Sequence, residues 1–279
     1  MDIKVSLIIS TYNWPQALHF SLASALKLIL KPHEIIIADD GSTSETKEVI
    51  QNFSCQSPIP IKHVWHEDKG FRLSHIRNKA ITEAEGNYIV QIDGDIIMHP
   101  YFIYDHIYLA KKNYFVTGSR SMITEGYSKK LLSSHTLPSI KQLNSISKQV
   151  LNRTRNRFLM SFFSSRYKVS GKYLSYTKGC NMAFWKDDFI EVNGYNEEIS
   201  GWGREDQELA VRFLKRNIKK QFIKFGGITY HIWHPLASRE KLSTNDTIMQ
   251  TTLLSHSFRC QVGVDQYQDD VSLKNSEKN

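Results

Sequence analysis

Cysteine is scarce: Cys55, Cys180 and Cys260 are the three in 279 residues. Their number and scatter exclude a disulfide framework, and no CxxC or Cys/His spacing suggests structural zinc. A reducing, cytoplasmic setting is the expectation. Long apolar runs are also missing, so no transmembrane helix is expected. The opening MDIKVSLIIS carries one lysine, Asp2 and no small-residue cleavage site, and does not read as a signal peptide. No G-x-G-x-x-G follows the first apolar run and no G-x-x-x-x-G-K-[ST] occurs anywhere. A dinucleotide-binding Rossmann enzyme and a P-loop phosphotransferase are therefore disfavoured. Acidic residues vanish between residues 126 and 186, a span with twelve lysines or arginines. The whole chain has a formal charge of +8, so the remainder carries about −4. Such a basic sector calls for an anionic neighbour: nucleic acid, an acidic membrane surface or a phosphorylated substrate.

What is present is a strand–helix alternation. Residues 5–10 (VSLIIS) read as a buried strand ending in Thr11-Tyr12-Asn13. Trp14-Pro15 opens a helix whose apolar face is Leu18, Leu22, Ala25, Leu26 and Ile29, stopped by Lys31-Pro32. Residues 34–38 are a second strand ending in Asp39-Asp40-Gly41-Ser42. A helix follows over 42–53, then a strand over 61–65. Leu73, Ile76, Ala80, Ile81 and Ala84 share a helix face that ends at Gly86, and a strand over 88–92 runs into Asp93-Gly94-Asp95. This order predicts an α/β fold: a mixed, mostly parallel sheet flanked by helices, in one domain. Ligands bind beyond the carboxyl ends of such strands, so the three polar clusters are expected along one edge. After Gly118 the alternation breaks. Residues 121–172 read as a basic, irregular and mobile insertion. A second organised block covers 173–260, with a helical stripe at Leu209, Ala210, Phe213 and Leu214 and a strand over about 221–231. Residues 261–279 read as a polar, frayed tail.

Without a glycine-rich loop, bound phosphates need another counter-charge, and a divalent cation on carboxylates is the usual one. Asp93 and Asp95, two apart around Gly94, can both turn toward one Mg²⁺ or Mn²⁺. Equally, they can cap backbone N–H groups of an Asp-Gly turn. Glu205 and Asp206 precede the later helical stripe. They either complement its dipole or supply a general base with a partner carboxylate. Trp202, between Gly201 and Gly203, offers a flat face to a sugar or base. His231 and His234 flank Trp233 at a strand end. Residues three apart in a strand face opposite ways, so one ligand and one packing residue are expected rather than two ligands.

Together these segments resemble a known family. Val5-Ser6-Leu7-Ile8-Ile9-Ser10-Thr11-Tyr12-Asn13, Asp39-Asp40-Gly41-Ser42 and Asp93-Gly94-Asp95 resemble the nucleotide-sugar half of family 2 glycosyltransferases with a GT-A fold. His66-Glu67-Asp68-Lys69-Gly70-Phe71 and Arg77-Asn78-Lys79-Ala80 are similar to a segment of bacterial chondroitin polymerase-like members. Lys178-Gly179-Cys180-Asn181-Met182-Ala183-Phe184 and Gly201-Trp202-Gly203-Arg204-Glu205-Asp206 resemble the C-terminal half shared with β-1,4-galactosyltransferases. The resemblance covers about residues 3–120 and 173–235 and is silent between them. It implies a nucleotide-sugar half at 1–120 and an acceptor-binding, catalytic half at 173–260. Thr11, Tyr12, Asn13, Asp40, Arg77, Asp93 and Gly94 would bind the UDP-sugar, with Asp40 accepting the uracil N3–H. Asp95 would be the principal ligand of Mn²⁺ or Mg²⁺, joined by Asp93 and His231, with His234 the second choice. Trp202 would stack on the acceptor sugar. Asp206 would deprotonate its hydroxyl beside Glu205, inverting the anomeric centre.

The resemblance thus implies a UDP-sugar donor and a glycan or lipid-linked glycan acceptor in bacterial surface polysaccharide synthesis. Residues 150–168 bear on the setting. Arg153, Arg155, Arg157, Arg166 and Lys168 surround Phe158, Leu159, Met160, Phe162 and Phe163. The stretch reads either as a helix docked on the core or as a peripheral contact with the anionic inner membrane face. Two other readings compete. A nucleotidyltransferase acting on sugar phosphates would need a glycine-rich phosphate loop where Thr11-Tyr12-Asn13-Trp14-Pro15 stands. A basic nucleic-acid-binding protein would need a module that is not visible, and no nucleic-acid partner is expected.

Overall fold

In the computed structural model, which describes residues 2–267, the alternation starts as the periodicity predicts. β1 (Val5–Thr11), β2 (Glu34–Asp39) and, further on, the strand at Tyr88–Asp93 bury nearly every side chain, as strands covered on both faces must. Between them run α1 (Pro15–Ala25), α2 (Ser44–Gln56), β3 (Ile61–Trp65) and α3 (Leu73–Thr82), before β4 (Tyr88–Asp93). Pro15 sits in the first turn of α1, where its missing N–H costs nothing. That helix stops at Ala25 rather than at Lys31-Pro32. Ile29 lies past it and is 59% exposed, so it does not belong to the buried face.

After β4 come β5 (Ile96–Met98), α4 (Phe102–Leu109), β6 (Tyr114–Gly118) and β7 (Ser121–Met122). The basic segment then folds as α5 (Glu125–Ser134), α6 (Ile140–Ile146) and α7 (Arg157–Ser164). The chain closes with β8 (Met182–Trp185), α8 (Lys186–Glu191), α9 (Glu205–Lys215), β9 (Lys219–Ile223), β10 (Thr229–His231) and α10 (Leu242–Leu254). The main sheet has seven strands in the order β3-β2-β1-β4-β8-β6-β9. β8 runs antiparallel to both neighbours and the other pairings are parallel, so the sheet is mixed but mostly parallel. A smaller sheet, β5-β10-β7, lies at the carboxyl edge.

Register sets that edge. Ser10 pairs with Asp93 and Thr11 with Asp39, so β1, β2 and β4 end level and their polar clusters converge as the strand-end pattern predicts. Gly94 donates its N–H to the Ser10 carbonyl at 2.7 Å, and a Cβ there would press against β1. The chain can therefore turn tightly from β4 into β5 with Asp95 in the turn.

Three expectations need correction. Residues 126–172 are not irregular. Leu131 and Leu143 join a cluster with Phe20, Ile97 and Tyr230, and Met160 enters the main core. Each such side chain contributes on the order of 1.5–3 kcal/mol of burial, and Leu132, Leu137, Ile140 and Ile146 pack partly buried beside them. The single strand expected over about 221–231 is two strands in different sheets, broken at Gly226-Gly227. The tail expected at 261–279 is partly packed: Val264 is fully buried, while residues 268–279 lie outside the described residues.

Candidate functional site

A cavity of about 740 Å³ opens at the carboxyl edge of the sheet. Thr11, Tyr12, Asp40, Arg77, Asp93, Gly94, Asp95, Trp202, Glu205, Asp206, His231 and His234 all reach it. Of the residues expected there, Asn13 alone turns elsewhere. Its backbone N–H donates to Ser42 Oγ at 2.8 Å and its Oδ1 accepts from Thr43 N at 2.9 Å, fastening the loops after β1 and β2. Its φ of +44° is a conformation Asn tolerates better than most residues.

On one side of the cavity, Asp95 Oδ2 lies 3.1 Å from His231 Nε2 and 3.1 Å from His234 Nε2. The expectation of a single histidine fails because β10 ends at His231. His234 lies beyond the strand, so the face alternation no longer applies to it. Tertiary contacts fix this geometry. Ile232 N–H donates to the Asp95 carbonyl at 3.0 Å, and Trp233 N–H to Ser128 Oγ on α5 at 2.9 Å. Tyr230 hydroxyl donates to Asn144 Oδ1 on α6 at 2.7 Å. The basic segment thus buttresses the histidine strand. The ligand atoms of Asp95, His231 and His234 all lie within 4.8 Å of one another. Asp95 Oδ1 is buried without a hydrogen-bond partner, an orphaned oxygen that a cation would satisfy. One carboxylate and two imidazoles therefore fit a divalent metal. Burial disfavours ionised Asp95, but the two imidazoles outweigh it and hold its carboxyl below the usual range. The hydrogen bond to Asp95 raises His234 in turn, against burial.

Asp93 is placed differently from its expected metal role. Its Oδ1 accepts from Arg77 Nη2 at 2.9 Å, and it lies outside the carboxylate–imidazole trio. Burial raises its carboxyl, opposed by the Arg77 charge. Arg77, expected near the nucleotide, is almost fully buried and acts as a hub. Its Nε donates to Ser10 Oγ at 3.0 Å, its Nη1 to Asp206 Oδ1 at 3.1 Å, and its guanidinium lies 5.4 Å from the Tyr195 ring. One cation thereby ties the end of β1, the end of β4 and the start of α9 together.

Asp206 and Glu205 occupy the first turn of α9, where the N-terminal dipole favours anions. The chain enters through Gly201, Gly203 and Arg204, all at positive φ. Asp206 Oδ1 also accepts from Tyr195 hydroxyl at 3.2 Å and its Oδ2 from Gly179 N–H at 2.6 Å. A Cβ at position 179 would collide with that carboxylate, so Gly179 is needed for the approach. Glu205 contrasts with its neighbour. Its Oε2 is buried without a partner, and burial followed by the Asp206 charge pushes its carboxyl up to about 8.

Around the mouth, Asp40 Oδ1 lies 2.6 Å from His66 Nε2 and its Oδ2 accepts from Arg72 N–H at 2.9 Å. Tyr12 hydroxyl donates to Asp68 Oδ2 at 2.8 Å. Trp202 is 40% exposed, with Arg239 5.2 Å from its ring. Sequence reasoning missed Tyr195, Gln91, Arg120 and Cys180 as parts of this site. Tyr195 hydroxyl bonds Gln91 Oε1 at 3.0 Å, and Arg120 Nη1 lies 3.2 Å from Cys180 Sγ. Asn193-Gly194-Tyr195 and Lys178-Gly179-Cys180 were visible as motifs, but nothing in them tells which side chain turns inward.

Comparison with known proteins agrees with this architecture. The family model described as Glycosyl transferase family 2 matches residues 6–192, and one described as the N-terminal domain of galactosyltransferase matches residues 160–235. Chondroitin synthase from Escherichia coli is 25% identical over 239 residues, covering 81% of this chain and 34% of that protein. Hyaluronan synthase from Pasteurella multocida is 24% identical over 224 residues, covering 76% of this chain and 23% of that protein. The chain thus spans about a third or less of these relatives. Among solved structures, S. aureus TarS 1–349 in complex with UDP superposes with a TM-score of 0.63 at 14% identity, covering 95% of this chain and 68% of that one. The mannosyltransferase PcManGT from Pyrobaculum calidifontis, in complex with GDP-Man and Mn²⁺, gives 0.57 at 15% identity, covering 92% and 63%. These superpositions place the fold among GT-A glycosyltransferases. The nucleotidyltransferase and nucleic-acid-binding alternatives give way to the family match, which spans most of the chain, and the chain belongs to glycosyl transferase family 2.

Proposed function

We propose that the chain transfers a hexose or N-acetylhexosamine from a UDP-sugar to a hydroxyl of a glycan acceptor, with inversion and with a divalent metal, in surface polysaccharide synthesis. The observation that carries this reading is that two chemically different groups face one cavity. The Asp95–His231–His234 trio lines one part and the Asp206 carboxylate another. A cation held by Asp95, His231 and His234 would act as a Lewis acid on the departing diphosphate. The two imidazoles favour Mn²⁺ over Mg²⁺, which prefers all-oxygen surroundings. Asp206 takes the proton of the acceptor hydroxyl as it attacks. Glu205, its carboxyl pushed up to about 8, keeps its proton at neutral pH, so the base is assigned to its neighbour Asp206. Arg77, Tyr195 and Gly179 orient the Asp206 side chain. Residues 1–120 hold the donor, Asp40 and Tyr12 at the uridine end, and Trp202 in the 173–260 half stacks on the acceptor. The UDP complex of TarS and the polysaccharide products named for the relatives support this choice of substrates. The test is UDP release from a panel of UDP-sugars, with and without Mn²⁺. Metal-stimulated turnover of at least one donor is expected; inactivity on all of them with a range of glycan acceptors would sink the reading.

We further propose that α7 touches an anionic membrane. No described helix is long and apolar enough to cross one. However, Phe158 is 77% exposed, and Phe162, one turn on, is exposed beside it, as are Val150 and Leu151. Fewer cations are free than the sequence suggests. Arg155 is bound bidentately by Asp105 on α4, Arg153 Nη1 donates to the Ser147 carbonyl and Lys168 lines a separate cavity, which leaves Arg157 and Arg166 flanking the aromatic face, while Met160 belongs to the core. Each cation near an anionic surface adds about 1 kcal/mol. Phe158→Ser with Phe162→Ser is expected to lower co-sedimentation with anionic liposomes several-fold at low salt. Unchanged binding, or binding indifferent to anionic lipid, would overturn it.

A further inference from the structure

Beside the main cavity lies a second of about 210 Å³, and the two share Arg120, Tyr176 and Lys178. Arg120, Lys168 and Lys178 line the smaller one, together with polar Gln149 and Asn152, and no carboxylate does. The two ammonium groups have no hydrogen-bonding or ionic partner among the described residues. Lys168 Nζ lies 5.3 Å from the Tyr167 ring centroid and 5.4 Å from that of Tyr173, and Lys178 Nζ lies 6.0 Å from that of Tyr176. Arg120 Nε is likewise buried without a partner. Behind this wall stand two more ammonium groups. Lys220 Nζ donates to the Tyr173 carbonyl at 2.8 Å and also to that of Tyr176, and Lys224 Nζ donates to Asn152 Oδ1 at 2.7 Å. Burial, then the Lys168 charge, lowers both, Lys220 to about 8. Cations thus gather here against mutual repulsion. Two lining residues, Gln149 and Lys168, also hold left-handed backbone at φ +58° and +54°, strain that persists only where the surroundings enforce it.

We propose that this pocket binds a phosphate group of the acceptor, placing a sugar carried on a phosphate or diphosphate beside the transfer site. Guanidinium and ammonium donors converging on one small volume suit an oxyanion, which accepts several charge-assisted hydrogen bonds at once. The shared wall of Arg120 and Lys178 puts the anion next to the main cavity, within reach of a substrate that occupies both. Identifying the ligand as the acceptor rests on the transferase reading; the binding of an oxyanion does not. The same chemistry could come from the donor's diphosphate, so the experiment separates the two.

The probe is inorganic phosphate, titrated into the full chain at fixed ionic strength and followed by ³¹P NMR, with and without saturating UDP and Mg²⁺. Saturable binding is expected in both conditions. Lys168→Gln with Lys178→Gln should weaken it at least tenfold, Lys168→Gln alone several-fold, and Lys168→Arg should retain it. Melting temperature in the same samples reports on folding, and UDP affinity of Lys168→Gln, whose residue lines only the smaller cavity, reports on the donor site. Asp95→Ala should bind phosphate as the parent does even though it is expected to lose turnover, so failure of the transferase reading would leave this result standing. No saturable binding, or binding indifferent to the lysine variants, overturns the site. Phosphate displaced by UDP overturns the acceptor assignment and gives the pocket to the donor.

Discussion

Asp206→Asn is expected to slow sugar transfer by about 10²–10⁴-fold while the UDP-sugar still binds. Asp206 is the anion on which three donors converge: Arg77 Nη1 and Tyr195 hydroxyl at Oδ1, and Gly179 N–H at Oδ2. An amide cannot take the acceptor's proton. Nor can it satisfy those donors, because either orientation turns its NH₂ toward an N–H. That mismatch alone costs about 1–3 kcal/mol, so the variant should melt lower as well as react slower. Calorimetry of UDP binding against transfer rate separates the two losses. Glu205→Gln is the matched control and should lose much less, since Glu205 is already neutral at pH 7. Normal transfer by Asp206→Asn, with Glu205→Gln inactive, would move the base to Glu205. The control carries its own stability signature. Glu205's carboxyl is raised from 4.5 to about 8 on folding, so between those values the folded chain keeps a proton that the unfolded chain has released. Stability therefore falls as pH rises through that window. Glu205→Gln removes this dependence, and its melting temperature should gain on the parent's by several degrees between pH 5 and pH 8, then level off.

How far the sequence revealed this site depends on which residues are set by one element and which by several. β1, β2 and β4 were legible because strands buried on both faces leave continuous apolar runs, and parallel register brings their ends level. Thr11, Asp40 and Asp95 follow from that directly. The histidine pair was half legible: the segment was visible, but a strand ending one residue into it reverses the argument about faces. Arg77 could be carried over as a motif residue, yet its partners come from β1, β4 and α9, and no local pattern records them. The basic segment was misread for a related reason. Its helices are short and each carries a single buried apolar anchor, Leu131, Leu143 or Met160, so the periodicity stays weak. Its part in holding Tyr230 and Trp233 is likewise tertiary.

Asp95→Ala is expected to reduce metal-dependent turnover on the order of 10²-fold or more, since a bound cation supplies several kcal/mol of charge stabilisation. The substitution should spare the fold. Asp95 gives the turn its backbone carbonyl, which holds Ile232 N–H at 3.0 Å and survives in alanine. Among the described residues its Oδ1 has no hydrogen bond to lose and its Oδ2 pairs with only the two imidazoles. Removing the carboxylate also removes the attraction that raises His234, so His234 becomes a weaker proton binder while the ligand set loses its anionic member. Mn²⁺ affinity should fall at least tenfold, measured by electron paramagnetic resonance of free Mn²⁺ and independent of any assay of turnover. His231→Ala and His234→Ala should each weaken Mn²⁺ binding less than Asp95→Ala does, because each leaves a carboxylate and one imidazole in place. A loss confined to His231→Ala would remove His234 from the set. Parent-like turnover and Mn²⁺ affinity in Asp95→Ala would place the metal elsewhere, and the Asp95 imidazole contacts would then be structural.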